Sequence, residues 1–494
     1  MVMFERPEDA MRAARGEALV MHAAEMPLLN LLASWSGPAS GHPIGWMPKK
    51  YRPEYGAIEA VSRTPWGQLL VETYARDLLI EGYLNEDGKQ SPLWAAAWQR
   101  NRMDRRQVAL MMDVLRYGRA VTLSLPGVHP LTGESMPVVS TFSPRSAIAV
   151  YSEASAEYPE YALMVDREGS KFRYRVVDDD AVYTWLSGEA ITQLSERALA
   201  DPVLSAPGGY DLVSKVRHGL GVCPVVEFSI QYDADGRVAG LVEPIVSVLA
   251  RLNQTVQNRM MVEQYGAHQV RTATGMAPPE EDATDGMTDT EIEAYRAARK
   301  VAMSVDDMLV GGEGVTFGTL SGSPLQPFLD AERADIQALS GVGKIPPHYL
   351  LGQISNLSAE ALVAAEQSKN GQLAMLRLQL ADCLESLFRL WGHISGDAME
   401  AAATSSQVRW RNDGSRSMAQ TIDALVKLAS IDVPLEMLLE MIPGWSDQDV
   451  ARAVDLIASP DSLQAALDEL AASSTQPTRS TPEVTVDAID PVEE

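Results

Sequence analysis

The chain is short of cations, cysteine and aromatic rings, and each shortage argues against a class of function. Lys and Arg number 41 against 67 Asp and Glu in 494 residues, a formal charge of −26. Gripping duplex DNA requires cations that neutralise phosphates, so a repressor or nuclease with a broad basic face is disfavoured. A protein that surrounds DNA without holding it is not, and neither is plain solubility. Cys223 and Cys383 stand far apart and outside any CxxC, which argues against a disulfide framework or zinc site. No run approaches the ~18 uninterrupted apolar residues of a spanning helix; Val108–Leu115, for example, is broken by Asp113. The first twenty residues mix acids and bases without an apolar core, unlike a secretory signal. The expectation is a soluble protein of a reducing cytoplasm.

Catalytic motifs are near misses. In Gly341-Val342-Gly343-Lys344 the first glycine of a phosphate loop would fall at Ala338, and Ile345 replaces the magnesium-binding hydroxyl. Asp233-Ala234-Asp235-Gly236 has the opening of a calcium loop without its closing glutamate, and reads as a turn. The seven histidines form no HExxH or similar pair, Cys383 lies in an apolar helical stretch, and Trp94/Trp98 at i, i+4 read as packing. No catalytic residue, metal ligand set or cofactor site emerges.

What is present is an ordered series of patterns. Pro, Gly and Trp scattered over 1–67 predict an irregular arm. Apolar spacing predicts a helix over Gln68–Tyr83. A second starts at the Ser91-Pro92 cap and stops at Gly118. Short β-branched runs follow at Ala120–Leu125, Pro137–Phe142, Ala147–Tyr151, Tyr161–Asp166, Lys171–Val177, Ala181–Leu186 and Val225–Tyr232, separated by turn clusters. Helices return at Glu243–Gln264, with an amide-rich face of Asn253, Gln254, Gln257 and Asn258, and at Phe328–Leu339. An amide face suits either a helix neighbour or water. Pro346 and Pro347 predict irregular chain through Gly341–Pro347. A long helix then runs from the Ser358 cap to about Ile394, with Gly371 as its expected kink. A lone strand at Gln407–Arg411, three compact helices and a tail rich in Ser, Thr, Pro and acids complete the chain. The fold class is α+β with a mostly antiparallel sheet.

The run IPPHYLLGQISNLSAEALVAAEQ at Ile345–Gln367 closely resembles the portal proteins of tailed double-stranded-DNA bacteriophages, in the form common in phages of actinobacteria. HGLGVCPVVEF at His218–Phe228, LNQTVQNRMMVEQYGAHQVRTATG at Leu252–Gly275 and SPLQPFLDAERADIQALSGVGKIPP at Ser323–Pro347 agree with it. The resemblance implies a portal-like fold. In it, 68–240 is a wing, 241–265 a first stem helix, 266–326 a clip, 327–340 a second stem helix and 341–357 a channel loop. The long kinked helix and wing return occupy 358–430 and a helical crown 431–472. It does not constrain the arm at 1–67 or the disordered acidic tail at 473–494.

The resemblance also implies a non-enzymatic ring, usually of twelve copies, at one capsid vertex of the virion, after assembly in the host cytoplasm. DNA would pass through its channel during packaging and ejection. The implied partners are the large terminase subunit, head-completion or adaptor proteins, the major capsid or scaffolding protein, and double-stranded DNA without sequence specificity; no membrane is involved. Lys344, Gln353, Ser355 and Asn356 are the candidate DNA-channel residues, and Glu280, Glu281 and Asp282 the candidate docking residues of the clip. The alternatives are a capsid or head–tail adaptor protein, though adaptors are shorter, and a metal-dependent DNA-processing enzyme, which no motif supports.

Overall fold

The computed structural model describes residues 6–37, 53–153, 155–188, 209–231, 233–266, 271–274, 316–319, 324–352, 359–411, 418–431, 433–440 and 447–458, with a few single positions between them. The chain divides into two compact units, Met1–Arg411 and Asn412–Glu494.

In the first unit, the described parts of 1–67 are largely helical where an irregular arm is expected, while 38–52, which holds Pro38, Gly41, Pro43, Gly45 and Pro48, lies outside the described residues. Helices α1 (Pro7–Ala13) and α2 (Leu19–Ser36) are joined by a π-helical turn, Ala14–Ala18, and α3 (Pro53–Ser62) leads into α4 (Trp66–Asp77). The prolines at 7 and 53 open helices, where a missing N–H costs nothing. The apolar residues of α2 at Met26, Leu29, Leu32 and Trp35 are buried at helical spacing in the main core.

Helix α4 ends at Asp77, short of the expected Tyr83. Leu78 and Tyr83 kept the helical spacing going in the sequence, but Ile80–Leu84 is strand β1, and Gln107 Oε1 accepts the Ile80 N–H at 2.9 Å. The helix expected from Ser91 to Tyr117 is broken too. A π-helical segment, Trp94–Gln99, is separated from α5 (Met103–Tyr117) by Arg102 in the left-handed region. Buried Asn101 explains the break: its Nδ2 donates to the carbonyls of Ala97 and Pro137, and its Oδ1 accepts from Val139 N. Gly118 ends α5 at φ 90°, and a Cβ there would lie 2.8 Å from the backbone of Ala239 and Gly240, so glycine is required.

The strands are antiparallel throughout. β2 (Arg119–Val128) sits between β3 (Ser135–Phe142) and β9 (Val225–Ser229). A five-stranded meander runs β4 (Ala147–Val150), β5 (Tyr161–Glu168), β6 (Lys171–Val177), β7 (Ala181–Ser187), β8 (Tyr210–Arg217). Along β5, Tyr161, Leu163 and Val165 face α1 and its π turn, while Ala162 and Met164 pack with Val121 and Leu123 of β2. Both faces are thus covered, which is why these runs read as continuously apolar. Strand β8 was not expected: it is an edge strand, and Asp211, Lys215 and Arg217 dilute its apolar pattern. The strand expected to be alone, β12 (Gln407–Trp410), pairs with β1.

Helix α6 (Val246–Gly266), entered through the 3-10 turn Glu243–Ile245, packs along α7 (Gln326–Gly343). Strands β10 (Arg271–Thr274) and β11 (Thr316–Thr319) pair between them in the chain. After α8 (Pro347–Leu351) comes the longest described helix, α9 (Ala359–Ser395), which runs unbroken through Gly371; α10 (Ala398–Ala402) folds back against it. No described helix is long and apolar enough to cross a membrane. In the second unit, α11 (Met418–Ala429), α12 (Leu435–Glu440) and α13 (Asp447–Ala458) pack in sequence, burying Leu438 and Val450. The tail from 473 lies outside the described residues.

Helix α9 is the spine of the first unit. Leu373, Leu376, Leu380, Leu384, Leu387, Phe388 and Trp391 form one buried stripe. Its end meets an aromatic stack: Phe388 lies 3.8 Å from Tyr83 and 6.0 Å from Trp98 by ring centroids, and Trp94 stacks on Trp98 at 5.0 Å. The tryptophan pair is packing, as its spacing suggests. Cys383, half-buried beside the stripe, has its thiol pushed up to about 12 by burial and is not a nucleophile at neutral pH.

Burial raises several carboxylates, among them Asp113, Glu385 and Glu400, and Glu227 is the deepest of them. Glu227 of β9 is held above the ordinary carboxylate range by burial, which outweighs the attraction of Arg119. A raised native pKa means that the unfolded chain releases this proton first, so stability is lost as pH rises from the unfolded pKa through the folded one. Glu227→Gln is therefore expected to raise the melting temperature at pH 7–8, by about 1 °C for each kcal/mol gained in a cooperative unit of this size, with the gain shrinking toward about pH 4. Calorimetry across that range checks it; a loss of stability at pH 8 contradicts it.

Candidate functional site

The two antiparallel helices α6 and α7 and the turn that ends α7 gather the polar contacts of interest. Ile245, Leu249, Leu252 and Val256 bury the apolar stripe of this segment. Two of the four amides, Asn253 and Gln257, are also buried against protein, Asn253 Oδ1 accepting from Thr64 N at 3.5 Å, while half-buried Gln254 donates to exposed Asn258 at 3.0 Å. Across the pair, Asp335 Oδ1 accepts from Arg251 Nε at 2.5 Å and its Oδ2 from Thr255 Oγ1 at 3.0 Å, while Arg259 Nη1 donates to Glu332 at 2.7 Å. These pairs are partly exposed, and each contributes about 1 kcal/mol or less. Their value is register, since they fix how far one helix slides along the other.

The turn differs from expectation. Helix α7 continues through Gly341, Val342 and Gly343, so only the short stretch from Lys344 to Pro346 is irregular before α8 begins at Pro347. Proline restricts the residue just before it, Ile345, and that leaves Gly341–Gly343 free to stay helical. Pro347 opens α8, as proline can.

Lys344 closes α7 in the left-handed region, φ 51°. Three contacts hold it there. Tyr74 Oη donates to the carbonyls of Lys344 (3.0 Å) and Gly343 (3.3 Å), and Ser340 Oγ donates to the Ile345 carbonyl at 2.6 Å. Burial pushes the Tyr74 phenol far up, so it stays a donor at any physiological pH. The Lys344 side chain is exposed and its ammonium donates to Gln372 Oε1 on α9 at 2.6 Å. Ile345 and Leu350 anchor the segment in the main core.

Of the sequence-predicted site residues, the structure describes Lys344 alone. Gln353, Ser355 and Asn356 of the channel loop and Glu280, Glu281 and Asp282 of the clip lie outside the described residues. So do Ser358, the expected cap of α9, and most of the acidic segment. Asp233 behaves as a turn residue, its Oδ1 accepting from the backbone N–H of Asp235 and Arg237. Among the described residues no group of three His, Cys, Asp or Glu could hold a metal ion.

The sequence reading passed over Lys369. It falls four residues before Leu373, in register with the leucine stripe of α9, and is buried with its Nζ 2.7 Å from Asp77 Oδ2. A charged residue in phase with an apolar stripe is the signal that could have found it.

A family profile described as "Phage portal protein, SPP1 Gp6-like" matches residues 64–473. No curated protein matches the chain. Among solved structures, a chain of the neck of a native gene transfer agent particle, computed with C12 symmetry, is 11% identical with a TM-score of 0.42, the match covering 84% of this chain and 98% of that one. A chain from the virion of the same kind of particle is 12% identical (TM-score 0.40), with the same coverage. An HK97-family phage portal protein from Corynebacterium diphtheriae is 12% identical (TM-score 0.30), covering 75% of this chain and 94% of that one.

The turn yields a direct prediction. Tyr74→Phe removes the donor to two carbonyls and should cost about 1 kcal/mol. It should also speed tryptic cleavage after Lys344 severalfold, followed by mass spectrometry of the native protein. An unchanged cleavage rate would mean that the phenol does not hold the turn.

Proposed function

The chain belongs to the SPP1 Gp6-like family of phage portal proteins, and from that premise we propose that it assembles as a ring, of twelve copies, at one vertex of the capsid. The ring is the conduit through which double-stranded DNA enters during packaging and leaves at ejection. It does no hydrolysis; the large terminase subunit supplies the work and head-completion or adaptor proteins succeed it. The major capsid or scaffolding protein holds the ring in the shell, and the protein passes from host cytoplasm to virion as the head is built.

The observation that carries this reading, beside the family match, is charge. A motor can only move DNA through a ring that does not retain it. A chain of −26 with 41 cations offers DNA few phosphate-neutralising groups, and binding that does not release counterions is weak. Lys344, exposed within the channel segment, touches DNA in passing, as do the neutral Gln353, Ser355 and Asn356. Twelve such chains repel one another, so intersubunit apolar burial or ion pairs must offset the repulsion. In this reading α6 and α7 are the stem, the segment between them is the clip, and 341–357 remains the channel segment with its first three residues helical.

Negative-stain imaging of the purified protein tests the ring: closed rings are expected, and monomers at high concentration would contradict it. The clip is tested separately. Reversing Glu280, Glu281 and Asp282 to lysine should weaken binding of the terminase or adaptor at least tenfold while rings persist; wild-type binding by this variant removes the clip from the docking surface.

A further inference from the structure

We infer that Lys369 is the positioning residue of the channel segment, the group through which α9 sets where α8 lies relative to the end of α4. The inference deepens the portal reading and rests on it for the word channel, but its physical basis is independent of that reading.

The case begins with position. Lys369 is 3% exposed, and its neighbours along the stripe are Leu373, Leu376 and Leu380. A leucine or methionine there would continue the core. Buried ion pairs seldom stabilise more than the apolar residues that could replace them, so packing does not account for a lysine. The ammonium has two partners instead of one. It pairs with Asp77 Oδ2 at 2.7 Å and lies 4.8 Å from the centre of the Tyr349 ring. Asp77 is the last residue of α4, where the helix dipole disfavours an acid unless a cation stands beside it. Tyr349 is the third residue of α8, and its phenol donates to Glu366 Oε1 on α9 at 3.1 Å.

A second α9 cation braces the same place. Arg377, two turns on, donates to the backbone carbonyl of Asp77 at 2.7 Å and to that of Arg411 at 3.1 Å, with its guanidinium carbon 5.7 Å from the Trp410 ring. The end of α4 and the β1–β12 pair are thereby fixed to α9 without involving α8. Lys369 adds the link to α8. A cation–π contact strengthens when desolvated, and this ammonium is out of water, so α8 cannot shift without its ring leaving a charge that only Asp77 would still neutralise. The contact gives α8 one favoured place.

Hydrogen exchange by mass spectrometry on the full-length protein tests this. Lys369→Met alone leaves Asp77 only its longer contact with Arg76, at 3.8 Å, and destabilises the region, so the informative variant is Asp77→Asn combined with Lys369→Met, which removes both charges. The expected result is exchange at least tenfold faster across 347–351, with the α4 amides at 66–77 within twofold of wild type. Tyr349→Phe keeps the ring and loses only the bond to Glu366, so it should leave most of the protection, whereas Tyr349→Leu should accelerate exchange at least as much as the double variant. Lys369→Arg should restore most of the protection, since a guanidinium pairs with a carboxylate and stacks on a ring. Unchanged exchange at 347–351, or equal acceleration at 66–77, overturns the inference. Rings seen or not seen in wild-type protein decide the portal reading separately, without altering the exchange result.

Discussion

The buried stripe of α9 is the constraint on which the first unit depends. Leu373 to Trp391 forms one continuous apolar edge, and β2, β3, β9, α10 and β12 all pack on it. Its aromatic end, Phe388 and Trp391 against Tyr83 and Trp98, locks the helix to the region around β1. Truncating one such ring typically costs 3–5 kcal/mol, a large fraction of a domain's stability. The first half of the same helix carries the contact to the turn after α7, through Gln372, and those to the end of α4 and to α8, through Lys369. One rod therefore joins a rigid, aromatic region to a polar one.

The chemistry of that polar end suits the proposed conduit. The hydrogen bonds that shape the Lys344 turn come from a tyrosine and a serine that stay neutral, so the turn itself presents one ammonium and little else for a phosphate to bind. The partly exposed pairs between α6 and α7 turn Arg251 and Arg259 onto Asp335 and Glu332. Arginines spent on their own helix pair offer a passing polyanion little, and this extends the meaning of the −26 charge from the whole chain to particular side chains.

Much of the fold could be read from sequence because its signals were local. The strands β3 to β7 stand within a residue or two of expectation, since apolar runs bounded by turn clusters such as Thr132-Gly133, Glu168-Gly169 and Asp178–Asp180 leave few choices. Gly118 stops α5 as its position suggested, and Ser91 Oγ accepts the Leu93 N–H at 3.2 Å, in keeping with its reading as a cap. The failures were non-local. Strand β1 was absorbed into a helix because its partner, β12, lies more than three hundred residues away. The break at Arg102 depends on Asn101 reaching the carbonyl of Pro137. The helices α1 to α3 were hidden behind Pro and Gly counts that say nothing about which proline opens a helix. At the site, the Lys344 turn was visible as a motif, but Lys369 acquires meaning only beside Asp77 and Tyr349, which come from two other helices.

The claim at the centre of this account is that the chain surrounds DNA without holding it. Asymmetric reconstruction of the unique vertex in DNA-filled particles tests it most directly. The account predicts a closed ring of this protein there, with a rod of DNA density on its axis and no continuous density joining the phosphates to the ring wall. A vertex lacking the protein, or DNA bound in register to a fixed set of its side chains, would contradict it.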